Sequence, residues 1–146
     1  MLNVARFDDL SAGTLYALLR LRVDVFVVEQ HCAYPELDGR DTEPGTRHIW
    51  YEREGAPVAY LRLLTDADGT PRIGRVVVAA HARGAGLADR LIQVALDQVG
   101  ERPCVLDAQA HLVDLYSRHG FVVVGEEYLD DGIPHLPMAR PAAPHV

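Results

Sequence analysis

The sequence predicts an α/β fold of the α+β kind, in which an antiparallel meander of strands is joined to helices. Three observations carry this. Apolar-rich runs at residues 47–52, 57–65 and 72–78 have strand composition, with the turn signals Glu54-Gly55 and Asp68-Gly69 between them. Downstream, Ala88, Leu91, Ile92, Ala95 and Val99 recur at helical spacing. Between the third run and that helix lies Arg83-Gly84-Ala85-Gly86-Leu87-Ala88. A glycine-bearing turn of this kind lets backbone amides converge on an anion, and the helix start adds its partial positive charge.

The remaining elements follow in order. A short strand at residues 3–7 precedes Ser11, a suitable helix N-cap. Leu15, Leu18, Leu19, Val23 and Phe26 then predict a helix reaching residues 25–28. Residues 29–46 carry Pro35, Gly39, Pro44 and Gly45 and read as a long irregular segment of the sort that lines sites. After the glycine turn and its helix, residues 104–108 read as a buried strand, 112–118 as a short helix and 121–128 as another strand. Residues 133–138 read as a last edge strand, broken by Pro134 and Pro137.

Composition narrows the function. At 146 residues, 49% of them apolar and 24% charged, the chain is long enough for one domain with a real core, expected over residues 1–140, with 141–146 a disordered tail. The net charge of −7 argues against a nucleic-acid partner and suits a cationic one, although most of the individual carboxylates read simply as solubilising surface charge. No stretch has the length of a membrane span or a signal core, so no membrane is expected and the cytoplasm is the expected location. Cys32 and Cys104 are too few for a disulfide framework or metal site. They read as plain thiols, Cys104 buried at a strand start. No metal is expected.

The turn does not fit the dinucleotide fingerprint, because Asp89 stands where a third glycine is needed, nor a Walker loop, because the chain has no lysine. It does fit Arg/Gln-x-x-Gly-x-Gly/Ala, at Arg83, Gly86 and Ala88. Further on, Gln109 stands seven residues before Tyr116, and Gly120-Phe121 follow it. Together these motifs resemble the GNAT superfamily of N-acetyltransferases, in which an Asn commonly holds the place of Gln109. A closer resemblance, to the ElaA subfamily, lies in the run from Leu21 to Gln30, in Cys32, Tyr34, Asp38, Gly39, Asp41 and His48, in Ala108-Gln109-Ala110-His111, and in the run from Tyr128 to His135.

The resemblance implies a mixed, mostly antiparallel sheet flanked by helices, with acetyl-CoA as donor cosubstrate. Its pyrophosphate would lie on Arg83, Gly84, Ala85, Gly86, Leu87 and Ala88, and its pantetheine arm along Val76, Val77 and Val78. An amide near Val77 or Val78 would steady the developing oxyanion. Gln109 would bond the cofactor or Tyr116. Tyr116 would protonate the leaving thiolate: a phenol of pKa about 10 can protonate a thiolate whose acid lies near 8.5 without ionising at neutral pH.

The acceptor would be a small amine or a protein or peptide amine. Glu29, Gln30, Asp41, His48, His111 and His135 are the candidates to bind it. Glu29, Asp38 and Asp41 would roof its site, and Asp130, Asp131 and His135 approach from the other side. Asp38 and Asp41 equally suit turn capping. No carboxylate precedes the glycine turn on its strand, so Glu29, His48, His111 and His135 all stay open as general base, as does attack without one. Two other functions remain open, an acyl-homoserine-lactone-synthase-like acyltransferase and a non-catalytic CoA-binding module.

Overall fold

The computed structural model describes residues 1–31 and 35–142. Strand β1 (Leu2–Ala5) leads through a short turn to helix α1 (Ala12–Val23), whose first turn is capped by the Ser11 hydroxyl accepting from Thr14 N at 3.0 Å. The helix runs on as a π-helical turn over Asp24–Glu29, closed by Gln30 N donating to Val25 O at 2.9 Å. The meander is then β2 (Arg47–Arg53), β3 (Ala56–Thr65) and β4 (Pro71–Val78), followed by helix α2 (Leu87–Val99). Strand β5 (Cys104–Gln109), the short helix α3 (Val113–Ser117), β6 (Val122–Val123), β7 (Tyr128–Asp130) and β8 (Ile133–Arg140) complete the chain.

All eight strands join one sheet, in the order β1-β2-β3-β4-β5-β8-β6, with β7 also on β8. Its pairs are antiparallel except β4 with β5. Residues 58 to 64 of β3 are all buried, so both its faces are covered, and α1 and α2 both pack on it. The α2 stripe is Leu87, Leu91, Ile92, Ala95, Leu96 and Val99, with Ala88 only half buried. Along α1 the buried face is Leu18, Leu21 and Arg22, continued by Val25 and Phe26, so a charged residue sits where the periodicity led one to expect aliphatics.

Two expected elements differ. Residues 133–140 form an inner strand, with β5 on one side and β6 and β7 on the other. The expected strand over 121–128 is split into β6 and β7. The split traces to Pro137, which pairs with Asp107 of β5 and accepts from Val124 N at 2.9 Å but has no N–H to return. A side chain on Gly125 would come within 2.6 Å of the Pro137 ring, so the outer strand breaks there. Cys104 is fully buried at the start of β5, and burial pushes its thiol up to about 11. The expectations for Cys32, Tyr34 and residues 143–146 lie outside the described residues. Among the described residues no helix is long and apolar enough to cross a membrane.

Candidate active site

β4 and β5 pair at Arg72 and Val105 and then part. Parting strands leave backbone groups without ladder partners and open a gap between them. The gap is a cavity of about 240 Å³, walled by Ile73 to Val76 of β4 and by Leu106, Asp107 and Gln109 of β5. Tyr116 of α3 faces it, as do Phe26 and Gln30 from the π-helical turn.

β4 reaches the gap through a bulge. Tyr60 pairs with Val77 and Arg62 with Gly74, so β4 holds one more residue than β3 across that stretch. Arg75 takes up the excess at φ +54°, a conformation rare for a residue with a side chain. Its guanidinium is anchored there: Nε donates to Glu36 Oε2 at 2.8 Å and Nη2 to the Glu36 carbonyl at 3.3 Å. Beyond the bulge, Ala79 N donates to Val58 O at 2.8 Å, so by alternation Val77 also faces β3. The amides turned away from β3 are therefore those of Val76 and Val78, not Val77.

The residues expected to roof the acceptor are instead locked into a buried ion network. Arg22, 1% exposed, donates to Glu36 Oε2 at 2.8 Å and to Asp41 Oδ1 at 2.7 Å. Arg62 reaches Asp41 Oδ1 at 3.1 Å and Asp38 Oδ1 at 2.9 Å. Burial raises the Asp41 carboxyl, but the Arg22 and Arg62 guanidiniums outweigh it and hold the group below the usual carboxylate range. Asp41 is thus a structural anion and not an acceptor ligand. His48 is also corrected. It is 1% exposed, with Nδ1 2.6 Å from the Tyr60 hydroxyl and Nε2 3.0 Å from the Asp41 carbonyl, and burial lowers its pKa. Both ring nitrogens are occupied, so it cannot serve as a base.

Two further candidates lie away from the cavity. Glu29 pairs with Arg83, Oε2 to Nη1 at 2.7 Å, and lines a separate groove beside Arg20 and Asp24. His111 is exposed on the turn after β5 and does not line the cavity. Gln30 and His135 do line it. Gln109 donates to Gln30 Oε1 at 3.1 Å, so its amide meets that side chain and not Tyr116.

Tyr116 is 5% exposed and packs edge-on to Phe121, ring centres 6.3 Å apart. Burial pushes its phenol well above the usual tyrosine range, so it is fully protonated at neutral pH. Gly120, at φ +90°, ends the α3 segment and lets Phe121 N donate back to the Tyr116 carbonyl at 3.3 Å. In the glycine turn, Gly84 and Gly86 adopt φ +85° and +74°, and Gly86 is the N-cap of α2. No side chain caps that helix, which leaves its first-turn amides available to an anion. Arg83 is exposed and donates from Nε to Val78 O at 3.1 Å. Leu87 is buried, so only its backbone can meet a ligand, and Ala88 is half buried.

Sequence reasoning missed Arg22, Glu36, Arg62, Arg75, Asp107 and Tyr128. Arg62 had a signal, being a lone charge inside Tyr60-Leu61-Arg62-Leu63-Leu64. Its Nε is the buried side-chain polar atom left without a hydrogen-bond partner among the described residues.

Comparison with known proteins identifies the family. Residues 17–141 match the model of the acetyltransferase (GNAT) domain. A UPF0039 protein of Mycobacterium tuberculosis is 53% identical over 142 residues, covering 94% of this chain and 91% of that one. Protein ElaA of Escherichia coli is 44% identical over 139 residues, with 91% of each covered. The crystal structure of an acyl-CoA N-acyltransferase from Pseudomonas aeruginosa superposes with a TM-score of 0.88 at 48% identity, covering 96% of this chain and 98% of that one. The chain therefore belongs to the GNAT acetyltransferase family, in its ElaA-like branch.

Proposed function

We propose that this chain is a cytoplasmic acetyl-CoA-dependent N-acetyltransferase whose acceptor amine attacks the thioester directly. The observation that carries the reading is the cavity between the parted β4 and β5 that Tyr116 also faces. The turn 83–88 offers uncapped amides to a pyrophosphate, and Arg83 adds charge after releasing or sharing Glu29. The pantetheine arm then lies against Val76–Val78, where the outward amides of Val76 and Val78 can bond it or the developing oxyanion. Tyr116 supplies the proton for the leaving sulfur.

The acceptor is a cationic amine, small or at the end of a peptide. Arg72, Arg75 and Arg62 at the cavity are all paired with carboxylates. Asp130 and Asp131 also line it and have no ion-pair partner among the described residues. An ammonium group is therefore drawn to that side. A cavity of about 240 Å³ suits an acetyl group and a small amine end better than a long acyl chain beside a second bulky substrate.

Incubating the protein with acetyl-CoA and a panel of primary amines, polyamines and peptides, with free thiol followed, tests this. The expected result is acceptor-dependent thiol release and an acetylated amine by mass spectrometry. Binding of acetyl-CoA with no transfer to any amine would instead favour a CoA-binding module.

Gly86→Val separates the loop's two roles. Its φ of +74° imposes a left-handed conformation on valine, with an expected cost of roughly 1–2 kcal/mol in urea unfolding. No neighbour lies within 4 Å of a side chain placed there, so the branched group would project into the anion's space. Acetyl-CoA affinity should fall by more than the stability loss explains. A folded variant with normal affinity would move the pyrophosphate elsewhere.

A further inference from the structure

The identity of the base that frees the acceptor amine is narrowed by elimination and then by geometry. Of the residues the sequence left open, Glu29 is ion-paired outside the cavity, His48 is buried with both nitrogens bonded and His111 lies off the cavity. His135 lines it. Its Nδ1 is 2.8 Å from the Ile133 carbonyl. A carbonyl only accepts, so Nδ1 carries the proton of the neutral ring and Nε2 keeps a lone pair. Among the described residues Nε2 has no hydrogen-bond partner. The Tyr128 ring stacks on the imidazole, centres 5.8 Å apart and planes at 26°. The tautomer and one face of the ring are thereby fixed.

We propose that Nε2 of His135 is the general base that takes a proton from the acceptor's ammonium group, an assignment that rests on the acetyltransferase reading above. The ammonium gives one proton to Nε2 and becomes a neutral amine, and the imidazolium passes that proton to water. The amine lone pair forms the C–N bond to the thioester carbonyl as the carbonyl electrons move to oxygen. When they return, the C–S bond breaks. Sulfur takes the Tyr116 proton, and the proton still on the new amide nitrogen restores Tyr116. Two protons leave nitrogen, one ending in solvent and one on coenzyme A.

The charged and titratable groups that share the cavity with His135 come from every wall. Asp107 lies on β5, Tyr128 and Asp130 on β7, Asp131 in the turn before β8, Arg62, Arg72 and Arg75 on β3 and β4, Asp38 and Arg40 on the loop, and Tyr116 on α3. Asp107 is occupied by Arg72 at 2.7 Å, and Asp38 by Arg62. Burial, and then the neighbouring Asp107 carboxylate, push the Tyr128 phenol up to about 12, so it is not the base. Asp130 and Asp131 are without an ion-pair partner among the described residues and share the cavity with His135.

Two probe amines test this by thiol release from acetyl-CoA: benzylamine, an ammonium at neutral pH, and hydroxylamine, a free base there. His135→Gln is expected to slow benzylamine turnover by roughly 10²–10⁴-fold and hydroxylamine turnover far less. Added imidazole should restore benzylamine turnover to His135→Ala. Equal losses with both amines, or no loss with either, overturn the assignment. Should the variants fail to fold, diethyl pyrocarbonate on the wild-type protein decides. Modification mapped to His135 should abolish benzylamine turnover and spare hydroxylamine, and turnover of both amines by the modified protein would refute the role. Wild-type protein that binds acetyl-CoA but transfers to neither these two amines nor any amine of the panel contradicts the acetyltransferase reading itself, a result distinct from an active enzyme indifferent to His135.

Discussion

Tyr116→Phe is expected to lower kcat by roughly 10²–10⁴-fold, the usual worth of a positioned acid, with acetyl-CoA affinity nearly unchanged. The substitution keeps the ring, its edge contact with Phe121 and its place in the core, so it isolates the hydroxyl. Burial raises the phenol's pKa, which taken alone would weaken it as an acid. Desolvation disfavours a thiolate as it does a phenolate, so burial acts on the leaving sulfur as well as on the phenol. Steady-state kinetics with an amine found by the panel checks the prediction. A variant with wild-type kcat would take Tyr116 out of the chemistry and leave it as a packing residue.

Arg22→Ala should destabilise the protein by about 3–5 kcal/mol, the range for breaking a buried charge pair from one side. Arg22 is the hub between α1 and the loop, donating to both Glu36 and Asp41. It also lies 5.4 Å from the centre of the Tyr60 ring. Its loss leaves Glu36 to Arg75 and Asp41 to Arg62, each now short of one donor in the interior. Arg22→Lys should recover only part of the loss, since an ammonium cannot present a planar fork to two carboxylates. Urea unfolding reads this as a lower midpoint at an unchanged slope. A loss below about 1 kcal/mol would place the network with weak surface pairs. Because Glu36 also anchors the Arg75 bulge, catalysis should fall alongside stability.

The sequence was most legible where one period ruled. β2, β3 and β4 carry continuous strand-like apolar runs, and α2 an apolar stripe ended by Gly100, so their bounds lie within a residue or two of expectation. The glycine turn was legible because positive φ at Gly84 and Gly86 narrows the residue choice. Pro137 misled, because a proline in a strand usually marks an edge, whereas here the neighbouring chain breaks at Gly125 to accommodate it. The loop acids misled for a different reason. Asp38 and Asp41 meet Arg62 and Arg22 from distant parts of the chain, and no local pattern records such pairings. His48 and His135 look alike in sequence. Only tertiary structure shows one sealed between Tyr60 and the Asp41 carbonyl and the other at a cavity wall.

Thermal unfolding with and without acetyl-CoA bears most directly on whether the turn 83–88 and the parted strands hold a coenzyme A thioester. At a hundredfold excess over Kd, binding to the native state alone adds about 2.7 kcal/mol. For a chain of 146 residues that amounts to a rise in Tm on the order of 5–10 °C. NADH and ATP at the same concentration should raise it far less, since neither the dinucleotide nor the Walker pattern is present. A shift from acetyl-CoA well above the other two is the predicted result, and equal shifts from all three, or none from acetyl-CoA, would contradict it.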